Sequence, residues 1–426
     1  MRDNPNPDTS TLPIVPTMAW VILALTSLDS ILGMIDRQAI SVLKATLRLE
    51  LGIGDARFAV LVGIFLTTYA IFYPICGRLV DRFGSRASLT AFILIWSAAT
   101  VMSGLANSYH ELLVFRAVLG AAEAGLVPAT IAALVVWFPR ARVATAYSLR
   151  AVLVALGPIM APPVIAWLAL TYGWRYGFIV PGSVGILFAL AWYAANRNPP
   201  DYGESEPAKQ ASDLSPMREV LGNKMLWGLI AARLISDPLW FFIQYWQAGY
   251  FQEVLGLTLG EVGWLLWIPP LAAALLAFPV GQASDRWVKS GMEPARARVR
   301  AMQLVALVGP LFAIIPLTTN IWAAMALFAV VQAAALVWLT LSNILAAALF
   351  PRRAVGTAVG VLNAVGTVGA ALFNFAVGPA VETYGYTPVF VVGALLHPLA
   401  ATILFLAYRR RGASGASPAP TRASAT

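Results

Sequence analysis

The feature that most constrains this chain is a series of twelve apolar runs, each long enough to cross a lipid bilayer as a helix. A spanning helix needs about 20 predominantly apolar residues. The runs lie at 17–43, 57–78, 88–107, 111–137, 143–168, 175–195, 224–252, 260–283, 299–319, 322–348, 355–380 and 386–409. Only 12% of the residues are charged, whereas soluble domains average about 25%. The pattern excludes a soluble enzyme and predicts an all-α membrane protein with twelve transmembrane helices.

A polar stretch at 196–223, rich in Pro, Ser and acidic residues, interrupts this series between the sixth and seventh runs. It predicts a linker between an N-terminal six-helix bundle at 17–195 and a C-terminal bundle at 224–410. The remaining segments are an N-terminal tail at 1–16 and a tail at 411–426 that is rich in Ala, Ser and Pro. We expect the second tail to be disordered.

The distribution of basic residues predicts the orientation. If the linker and both termini are cytoplasmic, the cytoplasmic segments hold 21 of the 29 Lys and Arg residues and the external loops hold four. Such an excess is typical of the cytoplasmic side of a membrane protein. It also accounts for the formal net charge of +9 without a nucleic-acid partner. We therefore expect a multi-pass protein of the cell (inner) membrane, embedded in the lipid bilayer.

The two halves of the chain repeat each other. GRLVDRFGSR at 77–86 has a counterpart in GQASDRW at 281–287, 204 residues later. FPRARVATA at 138–146 and FPRRAVGTA at 350–358 are offset by 212 residues. Internal repeats are typical of secondary transporters, whose substrate sites lie near the bilayer midplane between the repeats.

Several kinds of chemistry are disfavoured by what the sequence lacks. Cys76 is the only cysteine, and His110 and His397 are the only histidines, so neither a disulfide nor a metal site is expected. The sequence has no G-x-x-x-x-G-K-[ST] phosphate loop, which disfavours an ATP-driven pump. We predict a transporter that is not an enzyme, uses no cofactor, acts as a monomer and takes H+ as its driving ion.

Over about residues 17–410 the chain resembles the major facilitator superfamily. That family's loop between helices two and three reads G-x-L-x-D-R-x-G-x-R/K, matched here by Gly77, Leu79, Asp81, Arg82, Gly84 and Arg86. The resemblance implies twelve helices in two pseudo-symmetric bundles that work by alternating access. It also implies a cytoplasmic gate, formed by Gly77, Asp81, Arg82 and Arg86 together with Asp285 and Arg286 of the repeat.

A closer resemblance is to the anion:cation symporter family, in particular to its hexuronate and aldonate carriers. That family has a D-R pair in the first helix, here in IDRQ at 35–38, and a fourth helix similar to FRAVLGAAEAGLVPA at 115–129. WFP at 137–139 and RLISDPLWFF at 233–242 also resemble these carriers. The resemblance implies proton-coupled import of a small organic anion, most closely a sugar acid such as galacturonate or glucuronate.

Eight charged residues fall inside the apolar runs: Asp29, Asp36, Arg37, Arg116, Glu123, Arg150, Arg233 and Asp237. Each costs about 2.5–3.5 kcal/mol at the bilayer centre, so we expect them to face a cavity, form pairs or reach the interface. The helical rise places Asp36, Arg37 and Arg116 at nearly the same depth. Glu123, seven residues after Arg116, lies deeper on the same helix face.

We predict that Asp36 and Glu123 carry the coupling proton and that Arg37 and Arg116 attract the substrate carboxylate. A carboxylate whose arginine partner is drawn away by an anionic substrate takes up a proton more readily, which couples the two movements. The alternative is that these groups form static ion pairs that hold helices one and four together.

The other intramembrane charges lead to weaker predictions. We expect Arg233 and Asp237, spaced i, i+4, to pair with each other, and Arg150 to snorkel to the cytoplasmic interface. Asp29 and Arg150 are additions to the family pattern, and their roles stay open. The polar and aromatic residues that we expect to contact a sugar acid are Tyr69, Tyr73, Gln244, Tyr245, Asn363 and Thr367. Of these, Tyr69 and Asn363 match substrate-facing positions by resemblance.

Other functions stay open at this level. A bulkier, apolar pocket favours a carrier of monocarboxylates or aromatic acids, and a requirement for sodium favours a sodium-coupled anion carrier. A non-transporting membrane receptor needs no titratable pair, so Asp36 and Glu123 argue against it. The arginine-rich centre likewise suits anions better than the substrates of a multidrug exporter.

Overall fold

The computed structural model describes residues 15–200, 215–350 and 352–413, nearly all of them helical. Within these ranges, eleven helices are long and apolar enough to cross a membrane. The longest, Asp55–Leu105, changes direction at Gly84, where φ is 76° and ψ is 165°. It therefore supplies two spans, and the prediction of twelve transmembrane helices is confirmed.

We number the spans helix 1 to helix 12. Their bounds are Thr17–Val42 for helix 1, the two arms of Asp55–Leu105 for helices 2 and 3, Tyr109–Glu123 and Leu126–Trp137 for helix 4, Arg140–Val154 and Leu156–Tyr172 for helix 5, Tyr176–Ala195 for helix 6, Lys224–Glu253 for helix 7, Leu259–Leu265 and Ile268–Lys289 for helix 8, Pro294–Ala306 with the 3-10 helix Gly309–Leu317 for helix 9, Ile321–Leu349 for helix 10, Arg352–Tyr384 for helix 11 and Thr387–Ala413 for helix 12. A short helix, Lys44–Leu51, follows helix 1, and another, Ser215–Gly222, precedes helix 7.

The family pattern implies a loop at 77–86, but this segment is helical except at Gly84. The chain stays helical on both sides of Gly84, which alone departs from helical geometry. Glycine adopts a positive φ without the steric penalty that a side chain brings. One residue therefore reverses the chain between helices 2 and 3.

Side-chain caps mark several helix starts. The Ser108 hydroxyl accepts a hydrogen bond from the Glu111 backbone N–H at the start of helix 4. Thr258 and Glu261 form a reciprocal capping box at the start of helix 8. The Asn320 side-chain oxygen accepts a hydrogen bond from the Ala323 backbone N–H at the start of helix 10. These bonds satisfy N–H groups that have no partner within the helix.

The predicted linker at 196–223 contains a helix that the sequence pattern does not reveal. Residues 201–214 lie outside the described residues, but Ser215–Gly222 is helical and Val220 is fully buried in the core of the second half. Of the predicted tails, residues 1–14 and 414–426 lie outside the described residues. Helix 12 continues to Ala413, a little beyond its predicted end.

The two halves contact each other at one end of the bundle. We call this end the Lys44 side, and the opposite end, where helix 6 ends and helix 7 begins, the linker side. The Ser41 hydroxyl of helix 1 donates to the Tyr245 carbonyl of helix 7 at 2.9 Å. Helices 2 and 11 also approach closely on this side, because a Cβ on Gly63 would lie only 2.5 Å from the Phe375 ring.

On the linker side the same helices stand apart. A Cβ added at Gly77 of helix 2, or at Gly356 or Gly360 of helix 11, would meet no atom within 4 Å. The space between the halves therefore opens toward the linker side and is closed toward the Lys44 side.

Candidate functional site

An ion pair between helices 1 and 4 lies at the centre of the candidate site. Arg37 Nε donates to Glu123 Oε2 at 2.5 Å, and the Glu123 side chain is fully buried. The structure thus brings together one predicted carboxylate anchor and one predicted proton carrier. Their roles stay predictions.

The local sequence of helix 4 explains how Glu123 reaches helix 1. The helix ends at Glu123 and resumes at Leu126, so the carboxylate lies at a break. Gly125 allows close packing at this break, because a Cβ there would lie 2.2 Å from the Phe92 ring. On the facing helix, a Cβ on Gly33 would lie 3.4 Å from Glu123 Oε1, so a small residue leaves room for the carboxylate.

A cavity of about 220 Å³ lies between the halves beside this pair. Five of the predicted site residues line it: Arg37, Tyr69, Tyr73, Asn363 and Thr367. Helices 1, 2, 4 and 5 supply the first-half wall, and helices 7 and 11 supply most of the second-half wall. Within the described ranges, no group of three or more His, Cys, Asp or Glu side chains is placed to hold a metal ion. The cavity occupies the position between repeats where secondary transporters bind substrate.

Arg37 keeps part of its guanidinium available to the cavity. Its Nε holds Glu123, whereas its two Nη atoms form no hydrogen bond among the described residues. The guanidinium lies over the Tyr69 ring, 4.9 Å from the centroid, and 5.5 Å from the centroid of Phe65. Stacking on these rings restricts the arginine while leaving its N–H donors free for a planar anion.

Gln244 and Tyr245 line a smaller pocket beside Arg37 rather than the main cavity. Gln38 Nε2 donates to Gln244 Oε1 at 3.2 Å and thereby joins helices 1 and 7. The Tyr245 ring lies 6.3 Å from that of Phe65. The structure therefore places these two predicted contacts at the closed, Lys44-side end of the site.

Asp36 and Arg116 lie behind the cavity wall. Both residues are only 1% exposed. The Arg116 guanidinium lies over the Phe65 ring, 4.8 Å from its centroid. Asp36 lies beside Thr100 of helix 3 and within electrostatic range of Arg116 and Glu123. The structure thus connects these two predicted residues to Glu123 and not to the cavity.

The second half contributes its own arginine to the cavity wall. Arg233 Nε donates to both carboxylate oxygens of Asp237, at 2.7 and 2.9 Å, so the predicted i, i+4 pair is confirmed. Sequence reasoning missed the further partners of Arg233. Its Nη1 donates to Asn343 Oδ1 at 3.2 Å, and its Nη2 donates to Asn363 Oδ1 at 2.9 Å.

The prediction that Arg150 snorkels to the interface is wrong. The residue is only 7% exposed, and its Nη2 donates to the Ser30 hydroxyl of helix 1. Asp29 is fully buried within electrostatic range of Arg150. Both Asp29 carboxylate oxygens lack a hydrogen-bond partner among the described residues. A serine on a neighbouring helix offers Arg150 an internal partner that a hydropathy pattern cannot show.

The predicted gate residues lie on the linker side and bond within their own halves. Arg86 Nε donates to the Tyr193 carbonyl at 3.0 Å, and its guanidinium lies 4.0 Å from the centroid of that ring. Asp285 accepts a hydrogen bond from Arg298 Nη2 at 2.6 Å. Of the predicted gate residues, Asp81, Arg82, Asp285 and Arg286 are exposed. This arrangement fits a conformation in which the linker side is open.

A charge cluster closes the opposite end, and sequence reasoning missed it. Lys44 Nζ donates to Asp55 Oδ1 at 2.5 Å, to Glu253 Oε2 at 2.6 Å and to the Tyr386 hydroxyl at 3.1 Å. Arg48 donates to the same two acids, at 2.9 and 3.1 Å. We call these five residues the Lys44 cluster. It ties the ends of helices 1 and 2 to those of helices 7 and 12.

The surroundings of Arg48 in the Lys44 cluster favour its charged form. Partial burial lowers the pKa of Arg48, but the carboxylates of Asp55 and Glu253 outweigh this effect and hold the pKa above its ordinary value. Lys44 is only 2% exposed. The one signal in the sequence is that Lys44, Asp55 and Glu253 flank the ends of apolar runs.

Two repeated helical halves that enclose a charged cavity, open at one end and closed at the other, define a secondary transporter. Residues 27–374 match the family model of the Major Facilitator Superfamily, and 250–425 give a second match. The chain belongs to that superfamily and is a multi-pass membrane protein.

Similar proteins include named carriers of sugar acids. The chain is 27% identical to the hexuronate transporter of Escherichia coli (strain K12) over 93% of this chain and 95% of that protein. It is 25% identical to the galacturonate transporter of Dickeya chrysanthemi over 69% of this chain and 90% of that protein. These relatives are transporters and not enzymes.

Among solved structures, the fold is similar to a bacterial homolog of the human lysosomal transporter Spinster, in an inward-facing and unoccupied conformation. The TM-score is 0.78 at 21% sequence identity, and the match covers 95% of this chain and 99% of that one. This likeness shows the fold of the superfamily.

Proposed function

We propose that this protein is a proton-coupled symporter that imports a sugar acid anion, such as galacturonate or glucuronate, by alternating access. The observation that carries the proposal is the Arg37–Glu123 pair at the cavity wall, in which the Arg37 Nη atoms remain uncommitted. The names of the hexuronate and galacturonate transporters support the substrate class. In this proposal the linker side is cytoplasmic, which the excess of basic residues supports.

The substrate carboxylate and Glu123 compete for Arg37. A guanidinium binds a carboxylate best through two parallel N–H···O bonds. Substrate that draws Arg37 toward the cavity leaves Glu123 without its hydrogen-bonded partner. A bare carboxylate inside the membrane is unfavourable, so Glu123 takes up a proton. By linkage, protonation favours anion binding by the same factor.

Asp36 and Arg116 extend this exchange away from the cavity. Arg116 lies within electrostatic range of Glu123, and Asp36 lies within range of both. A change in the charge of Glu123 therefore alters the field at both residues. We assign Asp36 a share of the coupling proton and Arg116 the role of balancing the two carboxylates.

The rest of the wall suits a polyhydroxy acid. The rings of Tyr69 and Tyr73, 5.9 Å apart, line one side of the cavity, and Asn363 and Thr367 line the other. Aromatic rings pack against the C–H faces of a sugar, while amides and hydroxyls bond to its hydroxyl groups.

Uptake into proteoliposomes tests the coupling. A pH gradient, acidic on the uptake side, should drive wild-type protein to accumulate galacturonate. Glu123→Gln mimics the protonated carboxyl, so it should retain binding and exchange at equal pH but lose accumulation driven by the gradient. Glu50→Gln, at an exposed glutamate outside the helical bundle, is the matched control and should accumulate like wild type.

Each alternative has its own outcome in this assay. Uphill uptake that survives in Glu123→Gln would contradict the assignment of the proton to that residue. Uptake driven by a sodium gradient alone indicates a sodium-coupled carrier. Stronger competition by benzoate than by galacturonate indicates an aromatic-acid carrier, and binding without translocation indicates a receptor.

A further inference from the structure

The two arginines of the cavity wall use their nitrogen atoms differently. Arg37 commits only Nε, to Glu123. Arg233 commits all three nitrogens, Nε to Asp237 and the two Nη atoms to asparagine side chains. Both Nη atoms of the first-half guanidinium are therefore free, whereas every nitrogen of the second-half guanidinium already has a partner, although each of its Nη atoms keeps one further N–H.

Arg233 is also neutralised where it lies. Both oxygens of Asp237 accept from its Nε, and the arginine is only 1% exposed. Drawing Arg233 away would leave a buried carboxylate unpaired and would also break the bonds to Asn343 and Asn363, whereas Arg37 has only its bond to Glu123 to lose. A substrate anion therefore gains less at Arg233 than at Arg37, and its carboxylate goes to the Arg37 end of the cavity.

The Arg233–Asp237 pair is built into the packing of two helices. A Cβ on Gly366 of helix 11 would lie 1.8 Å from Asp237 Oδ2. The bare backbone at this position is what admits the carboxylate between helices 7 and 11. The position of Arg233 is therefore fixed by the fold as well as by its own hydrogen bonds.

Arg233 determines which end of the Asn363 amide faces the cavity. Asn363 Oδ1 accepts from Arg233 Nη2 at 2.9 Å, which leaves the two N–H donors of Nδ2 on the other side of the amide. Asn363 lines the cavity. An asparagine without this partner is free to turn its acceptor to the substrate instead.

We propose that Arg233 is a positioning residue that makes Asn363 an N–H donor to a hydroxyl oxygen of the substrate. That oxygen lies at the end of the molecule opposite the carboxylate bound by Arg37. The inference rests on the proposed function and deepens it, because it assigns a monoanionic polyhydroxy acid in one orientation. A dicarboxylate of the same length is disfavoured, since its second carboxylate meets Asp237 and no uncommitted guanidinium.

A double-mutant cycle with Arg233→Lys and Asn363→Ala tests the positioning role. Lysine retains a charge for Asp237 but lacks the planar fork that holds the asparagine amide. Each single change should weaken galacturonate binding to purified protein, at constant pH, about tenfold. The double variant should bind no more weakly than Asn363→Ala alone, because Arg233 acts through Asn363.

If the two losses of affinity instead multiply to about a hundredfold in the double variant, Arg233 does not act through Asn363 and the positioning role is overturned. Arg150→Lys is the control for the change of residue type, because Arg150 is a buried arginine that does not line the cavity. It should bind galacturonate like wild type. If Arg233→Lys fails to fold, as melting curves will reveal, Asp237→Glu replaces it, since it keeps the ion pair and displaces Arg233.

Competition by galactarate, the dicarboxylate with the same carbon skeleton as galacturonate, tests the role of Arg233 in a second way. If Arg233 only stabilised the fold, its replacement would not change the preference between the two acids. Galactarate should compete at least about tenfold more weakly than galacturonate in wild type. That preference should shrink in Arg233→Lys, where the donor is no longer held in place. Equal competition by the two acids in wild type overturns the assigned orientation.

Binding at constant pH does not depend on coupling, so the two proposals fail separately. If wild type binds and accumulates galacturonate but the losses multiply, the positioning role fails and the proposed function stands. If wild type binds benzoate and neither sugar acid, both proposals fail.

Discussion

Arg37 and Arg116 differ in what they can reach, although the two carry the same charge within range of the same glutamate. Arg37 lines the cavity and keeps free donors, whereas Arg116 is buried against the Phe65 ring behind it. Helix depth and residue spacing predict that Arg37 and Glu123 lie near each other, because both quantities follow from the rise and period of a helix. They cannot predict which arginine faces the cavity, because that depends on rotamers packed among several helices.

Arg37→Lys and Arg116→Lys separate these two positions. Lysine preserves the charge but not the planar, two-pronged donor set. Arg37→Lys should weaken galacturonate binding by about tenfold or more, and Arg116→Lys should weaken it by no more than about twofold. Isothermal titration at constant pH measures both. An equal loss in the two variants would show that Arg116 also contacts the substrate.

At the scale of elements, glycines decide how closely the helices around the cavity approach. Gly366 admits the Asp237 carboxylate, and Gly63 admits the Phe375 ring. The apolar runs predict the number and order of helices well, because each run must span the bilayer. They do not predict the reversal at a single residue, Gly84, or the helix within the linker, because neither changes the hydropathy pattern enough to be seen.

Gly366→Ala and Gly360→Ala form a matched pair on helix 11. A Cβ at 366 would lie 1.8 Å from Asp237 Oδ2, whereas a Cβ at 360 would meet nothing within 4 Å. Gly366→Ala should lower the free energy of unfolding by about 1–3 kcal/mol and weaken galacturonate binding. Gly360→Ala should leave binding unchanged and stability equal or slightly higher. Thermal unfolding in detergent, followed by titration, measures both, and equal effects would contradict this role of Gly366.

At the scale of the whole molecule, the Lys44 cluster holds one side shut while the other stands open. Its members come from four separate parts of the chain, and Lys44 and Tyr386 are 342 residues apart. The internal repeat predicts two halves and a site between them, but it does not indicate which side is closed. Closure depends on side chains that meet only after the halves have docked.

Lys44→Met removes the shared donor of the cluster and leaves Arg48 as its one cation beside two carboxylates. Breaking a buried pair by removing one partner costs about 3–5 kcal/mol, so the Lys44 side should open more often. A cysteine introduced by Ala248→Cys, in a background with Cys76→Ala, reports this opening, because Ala248 is only 4% exposed here. A membrane-impermeant thiol reagent should label it at least about tenfold faster in Lys44→Met than in the Lys44 background.

Arg57→Met is the control for this experiment. Arg57 stacks on Tyr109 within the first half, 5.4 Å from the ring centroid, so its loss leaves the contact between the halves intact. It should not change the labelling rate. Equal labelling in the two methionine variants would show that the Lys44 cluster does not hold this side shut.

The pairing of each cavity arginine with a carboxylate has an electrical consequence. Arg37 with Glu123, and Arg233 with Asp237, leave the walls of the empty cavity without net charge. Moving one elementary charge through a potential of 100 mV is worth about 2.3 kcal/mol. Because each pair is neutral, neither pair adds electrical work when the empty carrier returns to its starting conformation. The current of a transport cycle then reports the cargo alone. A cycle that carries one proton with each monoanion moves no net charge and gives no current. Each additional proton carries one positive charge inward. The membrane voltage therefore becomes a driving force only from the second proton onward.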